Sequence, residues 1–182
     1  MKGAEQMIND SGNRREFESG AVRDMAEGKG RCDLMPLNDV AAIFEFEDGS
    51  VFMGKRRKEI ADCFRSLSIC VDEKESREGR YLAAKMAIYY FRRLADLSVP
   101  DMMLEVAVHY EEGAKKYGEH NWEKGLPLWC FIDSATRHFL KYLGGRTDER
   151  HDRAFVWNML GFMYTIRHSD MSEGDSKEDI CT

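Results

Sequence analysis

Carboxylates at helical spacing carry the first sign of chemistry in this sequence. In VPDMMLEVAVHYEEGAKKYG, residues 99–118, Leu104, Ala107, Val108 and Glu111 fall on one helical stripe, so Glu111 is expected to point the way the apolar side chains point. A carboxylate there is costly without a cation beside it, so Glu111 reads as a metal ligand or as the partner of an inward arginine. Its neighbour Glu112 falls nearer Glu105 and His109, where solvent suffices. In DERHDRAFVWNMLGFMYTIRH, Glu149 and Asp152 form an E-x-x-D pair on a stripe with Val156 and Met163. Such a pair can bring two oxygen donors to one hard cation such as Mg²⁺, or bridge two cations. Capping of the helix start, with ion pairs to Arg150 or Arg153, is the plainer reading of an acidic first turn. His151 and Asn158 also share a stripe and could read a base or a phosphate oxygen, although a satisfied core histidine is the commoner outcome.

In WCFIDSATRHFLKYLGG, Asp133 and Arg137 form an i, i+4 pair on one flank and His138 stands on the other. Brought beside Glu111, Glu149 and Asp152 across a bundle, Asp133 would complete an acidic cluster that demands a cation. The segment KKYGEHNWEKG gathers Lys116, Asn121, Trp122 and Lys124. An aromatic, an amide and cations are the inventory for a nucleotide, and equally for a plug at the end of a bundle. Upstream, Arg23, Lys29 and Arg31 stand among Gly20, Gly28 and Gly30, where close backbone approach and positive charge suit an anion; a solvated basic loop is the ordinary alternative.

Positioning these groups requires three helices. The first is expected to start after Pro100 with Asp101 as N-cap and to end at Gly118; the second stops at Gly144 and Gly145; the third runs from about 148 to 168. Short glycine-containing links between them imply an antiparallel bundle and an all-α fold. Residues 1–18 read as a flexible arm, 19–168 as one domain and 169–182 as an acidic disordered tail. Within 45–100, EIADCFRSLSIC and YLAAKMAIYYFRRLADL read as helices whose role is packing. The chain has 182 residues, 43% of them apolar, enough for a real core. A net charge of -6 excludes an unspecific phosphate-backbone binder, so no stable nucleic-acid binding is expected. No apolar run is long enough for a spanning helix or a secretory signal, which points away from membranes and toward the cytoplasm. The five cysteines are scattered and never spaced C-x-x-C, against a disulfide framework or a zinc knuckle. A three-helix core this rich in aromatics suggests a homodimer or a larger homo-oligomer.

SGAVRD, GKGRCDLMPL, LEVAVHYEEGAKKYGEHNWEKGLP, FIDSATRHFLKYLGG and DERHDRAFVWNMLG, in this order, resemble the phage and prophage dATP/dGTP diphosphohydrolases, related to the MazG-like all-α nucleotide pyrophosphohydrolases. The resemblance covers residues 19–44 and 101–166 and makes 45–100 a variable helical insert. It implies hydrolysis of a purine deoxynucleoside triphosphate to monophosphate and pyrophosphate, with Mg²⁺ or Mn²⁺, in nucleotide-pool control within the host cell cytoplasm. Such enzymes hold their metals with E-x-x-E on one helix and E-x-x-D on another. Only the second is legible here, as Glu149 and Asp152, and Glu111, Glu112 and Asp133 are the substitutes for the first. By the same resemblance Lys116, Lys124 and Arg137 would neutralise the phosphates, Lys29 and Arg31 would form a lid, and Trp122 and Asn121 would hold the base, with His138, His151 and Asn158 alongside. Two other readings stand beside it. One is an HD-type phosphohydrolase built on His151 and Asp152 with His109 or His138 upstream; the other is a nucleotide-binding or assembly protein that keeps the bundle without turnover.

Overall fold

The computed structural model describes residues 12–25, 28–46 and 56–168. Among the described residues six α-helices follow a short hairpin: α1 (Leu37–Phe46), α2 (Arg57–Val71), α3 (Arg77–Ala95), α4 (Val99–Tyr117), α5 (Leu128–Leu143) and α6 (His151–His168). The hairpin is β1 (Arg14–Glu16) paired antiparallel with β2 (Val22–Asp24), with Arg15 opposite Arg23. The expected all-α bundle is therefore present, with one small hairpin added. Strand β1 lies within the segment expected as a flexible arm; residues 1–11 of that arm and the tail 169–182 lie outside the described residues. No helix among the described residues is long and apolar enough to cross a membrane.

Local chemistry sets the helix ends. Ser76 caps α3 by accepting from the Gly79 amide at 3.0 Å. The cap of α4 is Ser98 rather than Asp101: its hydroxyl accepts from the Asp101 amide at 3.2 Å, and Pro100 sits inside the first turn, where its missing N–H costs nothing. Past the ends of α4 and α5, Gly118 (φ 90°) and Gly145 (φ 64°) take positive-φ conformations that a side chain would disfavour.

One apolar stripe per helix then builds a single core. Ile132, Ala135 and Phe139 of α5 and Phe155, Val156, Met159 and Phe162 of α6 are fully buried. Phe139 lies 4.9 Å, ring to ring, from Phe64 of α2, and Phe155 lies 4.5 Å from Phe91 of α3. The segment 45–100, where described, thus shares the core of the last three helices through aromatic contacts that hold α5 and α6 in place. The α5–α6 contact is close because position 161 has no side chain. A Cβ added at Gly161 would stand 2.4 Å from Cε1 of Phe131, whose ring is itself fully buried. Gly161→Ala is accordingly expected to destabilise the fold by about 1–3 kcal/mol despite the better helix propensity of alanine, read as a lower urea midpoint.

Candidate functional site

A cavity of about 320 Å³ opens where the hairpin and the following loop lie across α4, α5 and α6. Its position depends on polar anchors that tie the N-terminal strands to the bundle. Asn121, in a short 3-10 turn after α4, accepts from the Val22 amide at 2.8 Å and donates to the Val22 carbonyl at 2.9 Å, completing the edge of β2 like an added strand. Lys116 forms an ion pair with Asp24 at 2.7 Å, both side chains nearly buried. Lys124 donates to the Gly20 carbonyl at 3.1 Å. On α5, Asp133 pairs with Arg137 and accepts from the Cys32 amide at 2.7 Å, while Arg137 donates to the Lys29 and Gly30 carbonyls at 3.2 and 2.9 Å. Arg31 stacks on Trp129, 3.9 Å from its ring, and pairs with Asp33 at 2.6 Å.

These anchors leave a wall of cations and aromatics. Arg15, Arg23, Lys29, Arg137 and Lys141 line the cavity with Tyr117, Trp129 and Trp157. Arg23 lies 5.4 Å from the Phe131 ring and 5.7 Å from the Trp157 ring, and one of its guanidinium nitrogens donates to Asn158. Burial lowers its pKa, as expected of a cation held among rings. Among the described residues, Nη1 of Arg23, Nδ1 of His109 and the indole nitrogen of Trp157 have no hydrogen-bond partner, so three groups of this wall retain unused hydrogen-bonding capacity.

At one end of the cavity stand His138, Glu149 and His151. Nδ1 of His138 is 3.1 Å from Nδ1 of His151, and Oε1 of Glu149 is 3.3 Å from the first and 3.5 Å from the second. Bond lengths near 2.1 Å put neighbouring donors on one ion about 3.0–3.4 Å apart, so this triangle has the dimensions of one face of a coordination shell. Nε2 of His151 meets Asp148 at 2.9 Å; with that nitrogen protonated, Nδ1 presents a lone pair to the triangle. Asp148 also accepts from Lys141 at 2.9 Å, and that bond holds its carboxyl well below the usual carboxylate range. Burial lowers the His138 pKa and keeps the ring neutral, the form that binds metals. The chain therefore has a His/Glu/His cluster capable of coordinating a metal ion.

Several expectations change. Glu111 is exposed and paired with Lys115, because the stripe that faces inward on α4 is Met102, Val106 and His109. Leu104 (69% exposed) and Val108 (41%) lie on the outer side with it. Glu112 faces inward instead, with Oε1 accepting from Arg153 at 2.6 Å. Asp133 holds Arg137 and the Cys32 amide, so among the described residues no acidic cluster forms around it. Glu149 and Asp152 do not share a stripe, because α6 begins only at His151. Asp152 turns to Arg150, which binds it through two nitrogens at 3.0 and 2.7 Å, so neither the E-x-x-D pair nor a His151–Asp152 dyad is assembled. Trp122 packs between Tyr110 and Tyr164 as a plug of the bundle end, away from the cavity lining. Lys29, Asn121, Arg137, His138 and Asn158 do line the cavity; Lys116, Lys124 and Arg31 serve its walls from behind. Sequence reasoning missed Lys141, Asp148, Trp129 and Trp157 as members of the site. It also weighed His138 and His151 as ligands only within the HD-type alternative.

His109 gives the fold a pH dependence. Burial lowers its imidazole from 6.5 to about 4, and Arg153 adds to the effect. The unfolded chain takes up this proton near pH 6.5 and the folded chain only near pH 4, so the contribution is complete above that window and is lost as pH falls through it. In chemical unfolding of the metal-free protein, stability should fall by up to about 1.4 kcal/mol per pH unit from this one group. His109→Asn should lessen that slope, with buried His138 supplying a further part of it, and an unchanged slope would place the pH dependence elsewhere.

A family model described as dATP/dGTP diphosphohydrolase, N-terminal, matches residues 89–175, from the middle of α3 through α6. No curated protein and no solved structure matches the chain.

Proposed function

We propose that this chain hydrolyses purine deoxynucleoside triphosphates to the monophosphate and pyrophosphate in a metal-dependent reaction. The observation that carries the reading is that His138 and Glu149, two corners of the metal-sized triangle, line the same cavity as Lys29, Arg137 and Lys141. The family likeness over residues 89–175 covers the triangle and most of that wall. His138, Glu149 and His151 would hold a divalent ion, which when bound would supply Lewis acidity toward a phosphoryl oxygen and toward a water molecule. Lys29, Arg137 and Lys141 would offset the charge of the phosphate chain and of the departing pyrophosphate, and Arg137 also fixes the Lys29–Gly30 backbone. Trp157, with Arg23 and His109 packed against it, would offer a base an aromatic surface and hydrogen bonds from one wall.

One observation favours binding without turnover: Glu112, Asp133 and Asp152, three of the carboxylates expected to hold metal, are committed to arginines. Incubation of the protein with each dNTP and NTP, with Mg²⁺ or Mn²⁺, and chromatography of the products separates the readings. Deoxynucleoside monophosphate plus pyrophosphate is the expected result. Nucleoside plus triphosphate would replace it with an HD-type reaction, and tight binding with no product would make the chain a nucleotide sensor.

A further inference from the structure

The donor set at one end of the cavity says which class of cation it selects. Mg²⁺ takes oxygen ligands and gives up its water reluctantly, whereas two imidazole nitrogens and one carboxylate on a single face suit first-row transition ions. Three features of the chain support a cation at these donors. The donor atoms lie 3.1, 3.3 and 3.5 Å from one another, the spacing of neighbours in one coordination shell. The contact between the two Nδ1 atoms sets lone pairs against each other unless a proton or a cation stands between them. Finally, His151 carries an outer carboxylate on its other nitrogen, the arrangement by which metal-binding histidines are oriented and made more basic.

We propose that His138, Glu149 and His151 form a resident site selective for a first-row transition ion such as Mn²⁺, Fe²⁺, Co²⁺ or Zn²⁺ over Mg²⁺, with Asp148 as the positioning residue that orients His151. Mg²⁺ then reaches the cavity only on the triphosphate. The inference uses the site of the reaction proposed above, but ion binding does not depend on that reaction. Asp148 is well placed for a test because it is exposed, outside the core and joined to α5 through Lys141, so its replacement spares the fold.

The test uses the full chain, stripped with a chelator and titrated with CoCl₂ while the visible absorption of Co²⁺ and the thermal midpoint are followed, with MgCl₂ in parallel. The expected result is saturation at one Co²⁺ per chain, a raised midpoint, and no comparable effect from a hundredfold larger concentration of Mg²⁺. Asp148→Asn should weaken Co²⁺ by about 10–100-fold with unchanged circular dichroism, and Glu149→Gln should weaken it further. A Mg²⁺ effect equal to that of Co²⁺, or Co²⁺ affinity unchanged in both variants, overturns the proposal. Selective Co²⁺ binding without hydrolysis of any nucleotide would leave this inference standing and remove the proposed reaction; hydrolysis without selective Co²⁺ binding would do the reverse.

Discussion

Glu149→Gln is expected to reduce hydrolysis of a purine dNTP by more than about 100-fold, because it removes the only anionic donor of the His138–Glu149–His151 triangle while keeping its shape. Asp152→Asn is the informative contrast. On sequence spacing the two carboxylates are equals, yet Asp152 is bound by Nε and Nη2 of Arg150 and does not line the cavity. Its replacement should leave turnover within a few-fold of the parent. Equal losses in the two variants, measured as kcat with the helical circular dichroism intact, would restore the E-x-x-D pair as the metal-binding unit and remove the histidine triangle from the mechanism.

Asp133→Ala has the largest expected effect on stability. Its carboxylate is nearly buried, neutralises Arg137 and accepts from the Cys32 amide. Removing one member of a buried ion pair leaves the other charge desolvated, a loss of about 3–5 kcal/mol. Retention of the Arg137 bonds to the Lys29 and Gly30 carbonyls points to the lower end of that range. Metal content should be unchanged. A variant with parental stability and diminished metal content would instead identify Asp133 as a ligand.

The sequence was most informative where one helical stripe is apolar and the others are not. On α5, Ile132, Ala135 and Phe139 leave no choice of face, and the glycines after α4 and α5 mark both ends. On α4 there are two apolar stripes. Leu104 and Val108 form one and Met102 and Val106 the other, so periodicity alone could not tell which carboxylate, Glu111 or Glu112, turns inward. The choice is made by packing against α6, a tertiary fact, although His109 on the second stripe was a usable hint that this face meets something polar. The E-x-x-D spacing misled for a different reason: a helical repeat applies only inside a helix, and Glu149 precedes the first residue of α6. The histidine pair was legible in principle. In two antiparallel helices joined by a tight link, residues equidistant from the link face each other, and His138 and His151 are equidistant from Gly144 and Gly145. The cavity walls were the least legible part, since they join the hairpin to α4, α5 and α6 through side chain to backbone bonds that leave no periodic trace.

The clamp of Asn121 on Val22 bears on the order in which the molecule assembles. The helices meet mostly through neighbours in sequence, α2 with α3 and α5 with α6, contacts that close quickly. The hairpin instead reaches its place through partners about a hundred residues away, by polar bonds and the burial of Ala21. It has the character of a late, independently opening unit, able to leave while the bundle stays folded. The Val22 amide, protected from solvent exchange only while Asn121 holds it, would report that opening directly. Each opening would carry Arg23 out of the wall, so the rate at which Val22 exchanges its proton also reports how often the cavity is laid open to water.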